Sequence, residues 1–246
     1  MARIQGYINI DYEKLATETG KPPAYWPASG DLRVENLSAR YSEDGPKVLH
    51  DISFHIKAGE RVGIGRLMNG QSSLTLSLLR CIPTEGSVTH DGIPESNLDA
   101  LRSSITIIPQ ISELLSGSLR ANLDPFGQYD DAELNYAIRA AGLFALQSEM
   151  DEGRITLDSA ISTGGSNLSV GQRQIFVLTR AIVRKSKILI LDEDYKPDSI
   201  IQTSLRQELQ GDVSLITVVH RLQTIMDANK IGDREALHAM AEGAAK

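Results

Sequence analysis

Apolar and polar residues alternate along "LRVENLSARY", from Leu32, and "VLHDISFHI", from Val48, which is the period of half-buried strands. Asp44-Gly45 stands between the two runs and marks a turn. "ERVGIG" then reads as a short apolar strand entering a glycine-containing loop, and "SSLTLSLLRCI" as the helix behind it. "EGSVTHDG" reads as a small hairpin and "SITIIP" as a buried strand. From about Ser112 to Lys185 the apolar spacing turns helical, as in "DDAELNYAIRAAGLFALQSEM". Strand-type runs return at "KILIL" and "VSLITVV", separated by the helical "DSIIQTSLRQELQ". Strands alternating with helices predict an α/β fold on a parallel sheet, here with a helical block inserted. Ahead of Leu32, "TETGKPPAYWPASGD" carries three prolines and two glycines, so residues 1–30 read as a linker.

Composition narrows the class. With 41% apolar and 23% charged residues among 246, the chain reads as an ordinary globular protein. A net charge of -7 argues against sequence-independent nucleic-acid binding, which needs a basic face. The single cysteine, Cys81, allows no intrachain disulfide and makes a zinc cluster an unattractive reading. Its place behind a helix of apolar spacing predicts a buried packing role. No run approaches the roughly 18 to 20 apolar residues that span a bilayer. "MARIQGYINI" lacks the apolar core of a signal peptide. A membrane role is therefore expected to come through a partner.

Three segments carry chemistry. In "GIGRLMNGQSSL", Gly65, four residues, Gly70, Gln71 and Ser72 keep the spacing of the Walker A pattern G-x-x-x-x-G-K-[ST], with Gln71 in the lysine's place. A strand, a glycine loop and a helix make an anion nest from main-chain N–H groups, and the Ser72 hydroxyl suits Mg²⁺. "KILILDE" ends a buried strand in Asp192 and Glu193, at the end of the sheet where α/β folds bind ligands. Asp192 suits Mg²⁺ through water, and Glu193 suits the orienting of an attacking water. In "NLSVGQRQ", Ser169 and Gly171 fit a helix N-terminus with open N–H groups, a second anion site.

The string Leu168-Ser169-Val170-Gly171-Gln172 resembles the L-S-G-G-Q signature of the ATP-binding-cassette (ABC) proteins. Three more matches follow in family order. Tyr41 in "SARYS" resembles the A-loop aromatic that stacks on adenine, and Gln110 in "ITIIPQ" the Q-loop glutamine that approaches Mg²⁺ and couples to membrane domains. His220 in "TVVHRLQTI" resembles the switch histidine that contacts the γ-phosphate. The resemblance covers about residues 31 to 230. "SGSLRANLDPF" and "LLRCIPTEGSV" are similar to the second nucleotide-binding domain of multidrug-resistance-associated transporters, in their fungal form.

This resemblance implies a P-loop NTPase-like core sheet with an antiparallel β subdomain and a helical subdomain at about residues 112–185. It implies a linker at 1–30 following a transmembrane domain, a cassette at 31–230 and a divergent, alanine-rich tail at 231–246. ATP with Mg²⁺ is the implied cofactor. Tyr41, Gly65, Gly70, Gln71, Ser72 and Ser73 stand at the positions that bind it, as do Ser169, Gly171 and Gln172, which act across a cassette dimer. Ser72, Asp192 and Gln110 stand at the metal positions, and Glu193, His220 and Gln110 at the catalytic ones. The implied partners are a second nucleotide-binding domain and transmembrane domains, with no nucleic acid, at the cytosolic face of a membrane.

Departures cluster at the same site. Gln71 brings no charge, Met68 stands where the family has the loop's inner glycine, and "GIG" replaces G-I-V-G before it. The missing residue is expected to be absorbed as a distortion near Gly65. Glu193 runs directly into Asp194, without the A-T-A-S and apolar residue that the family places before its D-loop aspartate. Two functions follow: an ABC-type ATPase domain powering export, or a pseudo-ATPase module lending its signature in trans to a partner cassette. Soluble cassette proteins of DNA repair or translation fit poorly, because neither a long coiled coil nor a paired cassette is present and the chain is acidic.

Overall fold

A computed structural model describes residues 17–65, 71–93, 97–109, 114–143, 154–191, 211, 213–219 and 230–232. Strands β1 (Leu32–Arg40), β2 (Lys47–Ile56) and β4 (Thr84–His90) form an antiparallel sheet in the order β2-β1-β4. The Asp44-Gly45 turn closes with Gly45 N–H donating to the Ser42 carbonyl at 2.9 Å. The second sheet is parallel, in the order β10-β3-β9-β8-β5, from β3 (Arg61–Gly65), β5 (Ile105–Ile108), β8 (Ile188–Leu191), β9 (Ser214–Val219) and β10 (Lys230–Gly232). β6 (Gly117–Ser118) and β7 (Ala160–Ile161) make a short antiparallel pair.

The parallel sheet is buried on both faces, as parallel sheets are. Val62, Ile64, Ile188, Ile190, Ile216 and Val218 alternate along their strands and face the antiparallel sheet and helix α1 (Gln71–Leu78), whose Leu74 and Leu78 complete that core. Ile108 and Leu191 belong to a second core, built with α3 (Leu119–Leu123), α4 (Asp131–Ala140) and α5 (Val170–Arg184). Helix α2 (Leu98–Ser104) leads directly into β5.

Local sequence explains the helices. Asp130 caps α4 by accepting from Glu133 N–H at 2.8 Å, and Asp131 and Glu133 sit in the first turn, where acids suit the helix dipole. Leu134, Ala137 and Ile138 recur at helical spacing and are buried. The helix stops at Ala140, with Gly142 at φ 91°, so the longer helix expected from the sequence ends early; residues 144–153 lie outside the description.

Two other expectations are corrected. "EGSVTHDG" is no hairpin: it supplies β4, which pairs with β1 from Leu32↔His90 to Ala39↔Thr84. A long-range partner wins because β1 offers a free edge beside β2. Cys81 is exposed and not packing filler, because α1 ends at Leu78 and the chain turns at Arg80, φ 53°. The shortened β3 keeps register with β9 from Arg61↔Leu215 through Gly65↔Val219, and residues 66–70, beside which a distortion is expected, lie outside the described residues. The helical reading of "DSIIQTSLRQELQ", Met68, Asp194 and the 233–246 tail lie outside the described residues.

Candidate nucleotide site

Four adjacent parallel strands finish at one edge of the sheet, β3 and β9 two residues beyond β8 and β5. Register aligns Gly65 with Val219, Thr217 with Leu191, and Leu191 with Ile108. In sequence, Gly65 opens the glycine loop, Asp192 and Glu193 follow Leu191, His220 follows Val219, and Gln110 comes two residues after Ile108. Gly70, Gln110, Asp192, Glu193 and His220 themselves lie outside the described residues.

Behind the loop, α1 begins at Gln71, whose side chain is also outside the description. Ser72 is exposed in the first helical turn, while Ser73 is buried. Ser73 shares a hydrogen bond of 2.8 Å with the Tyr41 hydroxyl. Tyr41 follows β1 directly and is 58% exposed, beside the start of α1. The fold thus brings Tyr41, Ser72 and Ser73 together although 31 and 32 positions separate them in the chain.

The signature stretch is built separately, on the helical core. Ser169 caps α5 with a reciprocal box: its hydroxyl accepts from Gln172 N–H at 3.1 Å, and its own N–H donates to Gln172 Oε1 at 2.9 Å. Arg173 N–H already bonds the Ser169 carbonyl, so the amides of Val170 and Gly171 are the ones left at the open end of α5. Val170 is 62% exposed, so this end faces outward. Among the described residues, no hydrogen bond joins it to Tyr41 or α1.

Sequence reasoning missed the residues that hold this end in place. Asn167 accepts from Ser162 N–H and donates to the Ala160 carbonyl, at 2.9 and 2.8 Å. Arg173 Nη1 donates to the Gly165 and Leu168 carbonyls, at 3.2 and 2.8 Å. Gly165 takes φ 68°, and a Cβ there would stand 2.8 Å from Leu114 Cδ1, so glycine is needed for both reasons. The only sequence signal is their adjacency to the signature; their partners stand five to eight residues back along the chain, at β7, the turn after it and Leu168.

Residues 49–196, more than half of the chain, match the ABC transporter family. The chain belongs to the ABC transporter family. It is 44% identical over 238 residues to rat ATP-binding cassette sub-family C member 2. It is 41% identical over 239 residues to human ATP-binding cassette sub-family C member 3. To the pleiotropic ABC efflux transporter of multiple drugs YBT1 of Candida glabrata it is 38% identical over 254 residues. Each comparison covers 93% of this chain and 15% of the relative, so the chain spans about one seventh of these proteins' length. None of the described helices of the cassette is long and apolar enough to cross a membrane.

A groove of about 660 Å³ lies elsewhere. It is lined by residues such as Ser103, Ser104, Leu123, Phe126, Arg184 and Ser186, at the N-terminal ends of β5 and β8. Ligands of open α/β sheets bind at the opposite end, so this groove is distinct from the nucleotide site.

Proposed function

We propose that the cassette binds Mg-ATP between its own glycine loop and the signature helix of a second cassette, and that this drives export through transmembrane domains at the cytosolic face of a membrane. The observation that carries the reading is the shared C-terminal edge of β3, β9, β8 and β5, from which every catalytic and metal motif issues in sequence. Tyr41 would take the adenine, and the loop of Gly65 and Gly70 with Gln71, Ser72 and Ser73 the phosphates. The exposed Ser72 hydroxyl and the Asp192 carboxylate are hard oxygen donors of the kind Mg²⁺ takes, with Gln110 beside them. The metal would neutralise phosphate charge. Glu193 would orient water, and His220 would meet the γ-phosphate. Ser169, Gly171 and Gln172 would close the partner's site, with the open amides of α5 as an anion nest.

Turnover of Mg-ATP by the chain mixed with the partner cassette of its transporter, lost in Asp192→Asn, is the expected result. Absence of turnover in that mixture would count against hydrolysis at this chain's own site. Gln71 favours a second reading, in which the own site is feeble and only the signature works in trans. On that reading Ser169→Ala lowers turnover by the partner while Asp192→Asn does not.

The adenine position has its own test. Base stacking on an aromatic ring is worth about 1–3 kcal/mol by alanine substitution, so Tyr41→Ala is expected to weaken ATP binding roughly fivefold to a hundredfold. Tyr41→Phe loses only the Ser73 hydrogen bond and keeps the ring, so its affinity should remain close to wild type. Equal losses in the two variants, measured by titration, would assign the role to the hydroxyl instead.

A further inference from the structure

Two of the arginines of α5, Arg173 and Arg180, stand seven positions apart, which places them on one stripe of the helix. Arg173 holds the turn before the signature, through the Gly165 and Leu168 carbonyls. Arg180 reaches a different segment. Its Nε donates to the Asn122 carbonyl at 2.8 Å and its Nη2 to Asn122 Oδ1 at 3.1 Å, across 58 positions of chain. Asn122 belongs to α3 and is only 5% exposed. Its Oδ1 accepts from the Leu115 N–H at 2.9 Å, and its Nδ2 donates to the Leu115 and Ser118 carbonyls at 2.8 and 3.1 Å. With the bond from Arg180, both donors and both acceptor sites of this side-chain amide are in use.

The two grips meet at residues 114 and 115. The Leu114 carbonyl accepts from the Gly164 N–H at 2.9 Å, one residue before the Gly165 that Arg173 holds. The Leu114 side chain packs on Gly165, where a Cβ would stand 2.8 Å from its Cδ1. Asn122 fixes the next residue, Leu115, at both its N–H and its carbonyl. A closed circuit results. It runs from α5 through Arg180, Asn122 and residues 114–115 to the turn at 164–165, and returns to α5 through Arg173.

We propose that Asn122 is a positioning residue for the signature stretch, setting where the open amides of Val170 and Gly171 stand against a partner cassette's phosphates. The inference rests on the trans-acting signature proposed above. Apolar burial does not by itself fix that position. Leu114 and Leu168 share one core, but such burial is non-directional, and Leu115 is 71% exposed with little to bury. Hydrogen bonds supply the missing direction, and a buried polar network with its members satisfied holds one geometry. In Asn122→Ala the local capping box at Ser169 and the core packing of α5 remain. What is lost is the tie that joins the signature turn and α5 to α3. The anion nest is then formed but no longer held in place.

The test is Mg-ATP turnover by a fixed amount of the partner cassette of the transporter as the chain is added to saturation. A chain that is merely less stable needs a higher concentration but reaches the same plateau, whereas a misplaced nest lowers the plateau. Misplacement by about 1 Å can slow a reaction about a hundredfold, so Asn122→Ala is expected to lower the plateau severalfold. In a Ser169→Ala background, where the signature is already disabled, the same substitution should lower it no further. A full plateau in Asn122→Ala, or an equal proportional fall in both backgrounds, makes Asn122 a brace of the fold only and overturns the proposal. Should Asn122→Ala fail to fold, Arg180→Lys decides, because an ammonium lacks the planar fork that meets both Asn122 oxygens. Its plateau must fall with Ser169 present and stay unchanged in Ser169→Ala; any other pattern rejects the role. No stimulation by the wild type, or full stimulation by Ser169→Ala alone, would instead overturn the trans-acting signature, and this role with it, before any Asn122 variant is compared.

Discussion

Gln71→Lys is expected to tighten Mg-ATP binding roughly tenfold to a hundredfold. The glycine loop supplies main-chain amides whatever stands at position 71, so a phosphate-binding frame persists without the cation. A glutamine amide can donate one neutral hydrogen bond. An ammonium makes a charge-assisted one, worth about 1.5–3 kcal/mol, which is the stated range of affinity. The gain in turnover should exceed the gain in binding, because charge on the transferring phosphoryl group develops in the transition state. Titration with a fluorescent ATP analogue at fixed Mg²⁺ and ionic strength measures the first, and steady-state hydrolysis the second. Adding Met68→Gly should add to the effect by letting the backbone approach the phosphates. A Gln71→Lys chain that binds no better would mean that phosphate does not sit on this loop.

Phe176→Ala carries the largest expected cost in stability, about 3–5 kcal/mol. Phe176 is fully buried at the centre of α5, in the core shared with Leu134, Ile138, Ile108 and Leu191. It thus ties the helical block to the parallel sheet. A domain stable by about 5–15 kcal/mol loses a large share of that margin, and a chain of this length should melt roughly 6–20 °C lower. Ser169 lies two helical turns from Phe176, so loosening α5 should also loosen the capping box and the amides beside it. Urea unfolding gives the midpoint, and Phe176→Leu should recover most of the loss. An unshifted midpoint would remove α5 from the core and with it the mounting of the signature stretch.

Parts of the candidate site are legible in the sequence as expectations, and the Ser169 cap is the part that the described residues bear out. Gly65, Gly70 and Ser72, then Ser169 and Gly171, then Asp192 stand out because a phosphate nest, a capped helix and an acidic strand end each need particular residues at short spacing, whereas Gln110 and His220 are marked only by the family resemblance. The capping box shows this most directly: Ser169 and Gln172 are three positions apart, within one helical turn, so their mutual hydrogen bonds follow from the string. The reading failed where a long-range partner decided. "EGSVTHDG" has the turn residues of a hairpin but paired with β1 instead, and Cys81 followed an apolar helix that ended three residues too soon to bury it.

By itself, then, the sequence determined the α/β class, the run of motifs and the departures at Gln71 and Met68, because each depends on neighbours a few bonds away. Only the tertiary structure decided that β3, β9, β8 and β5 end along one edge, that Tyr41 reaches Ser73, and that Trp26 closes on His90 across 64 positions. Those are contacts between segments whose meeting is set by strand register and core packing. Burial of apolar faces selects them, and such burial depends on total area and shape, which no local pattern along the chain specifies.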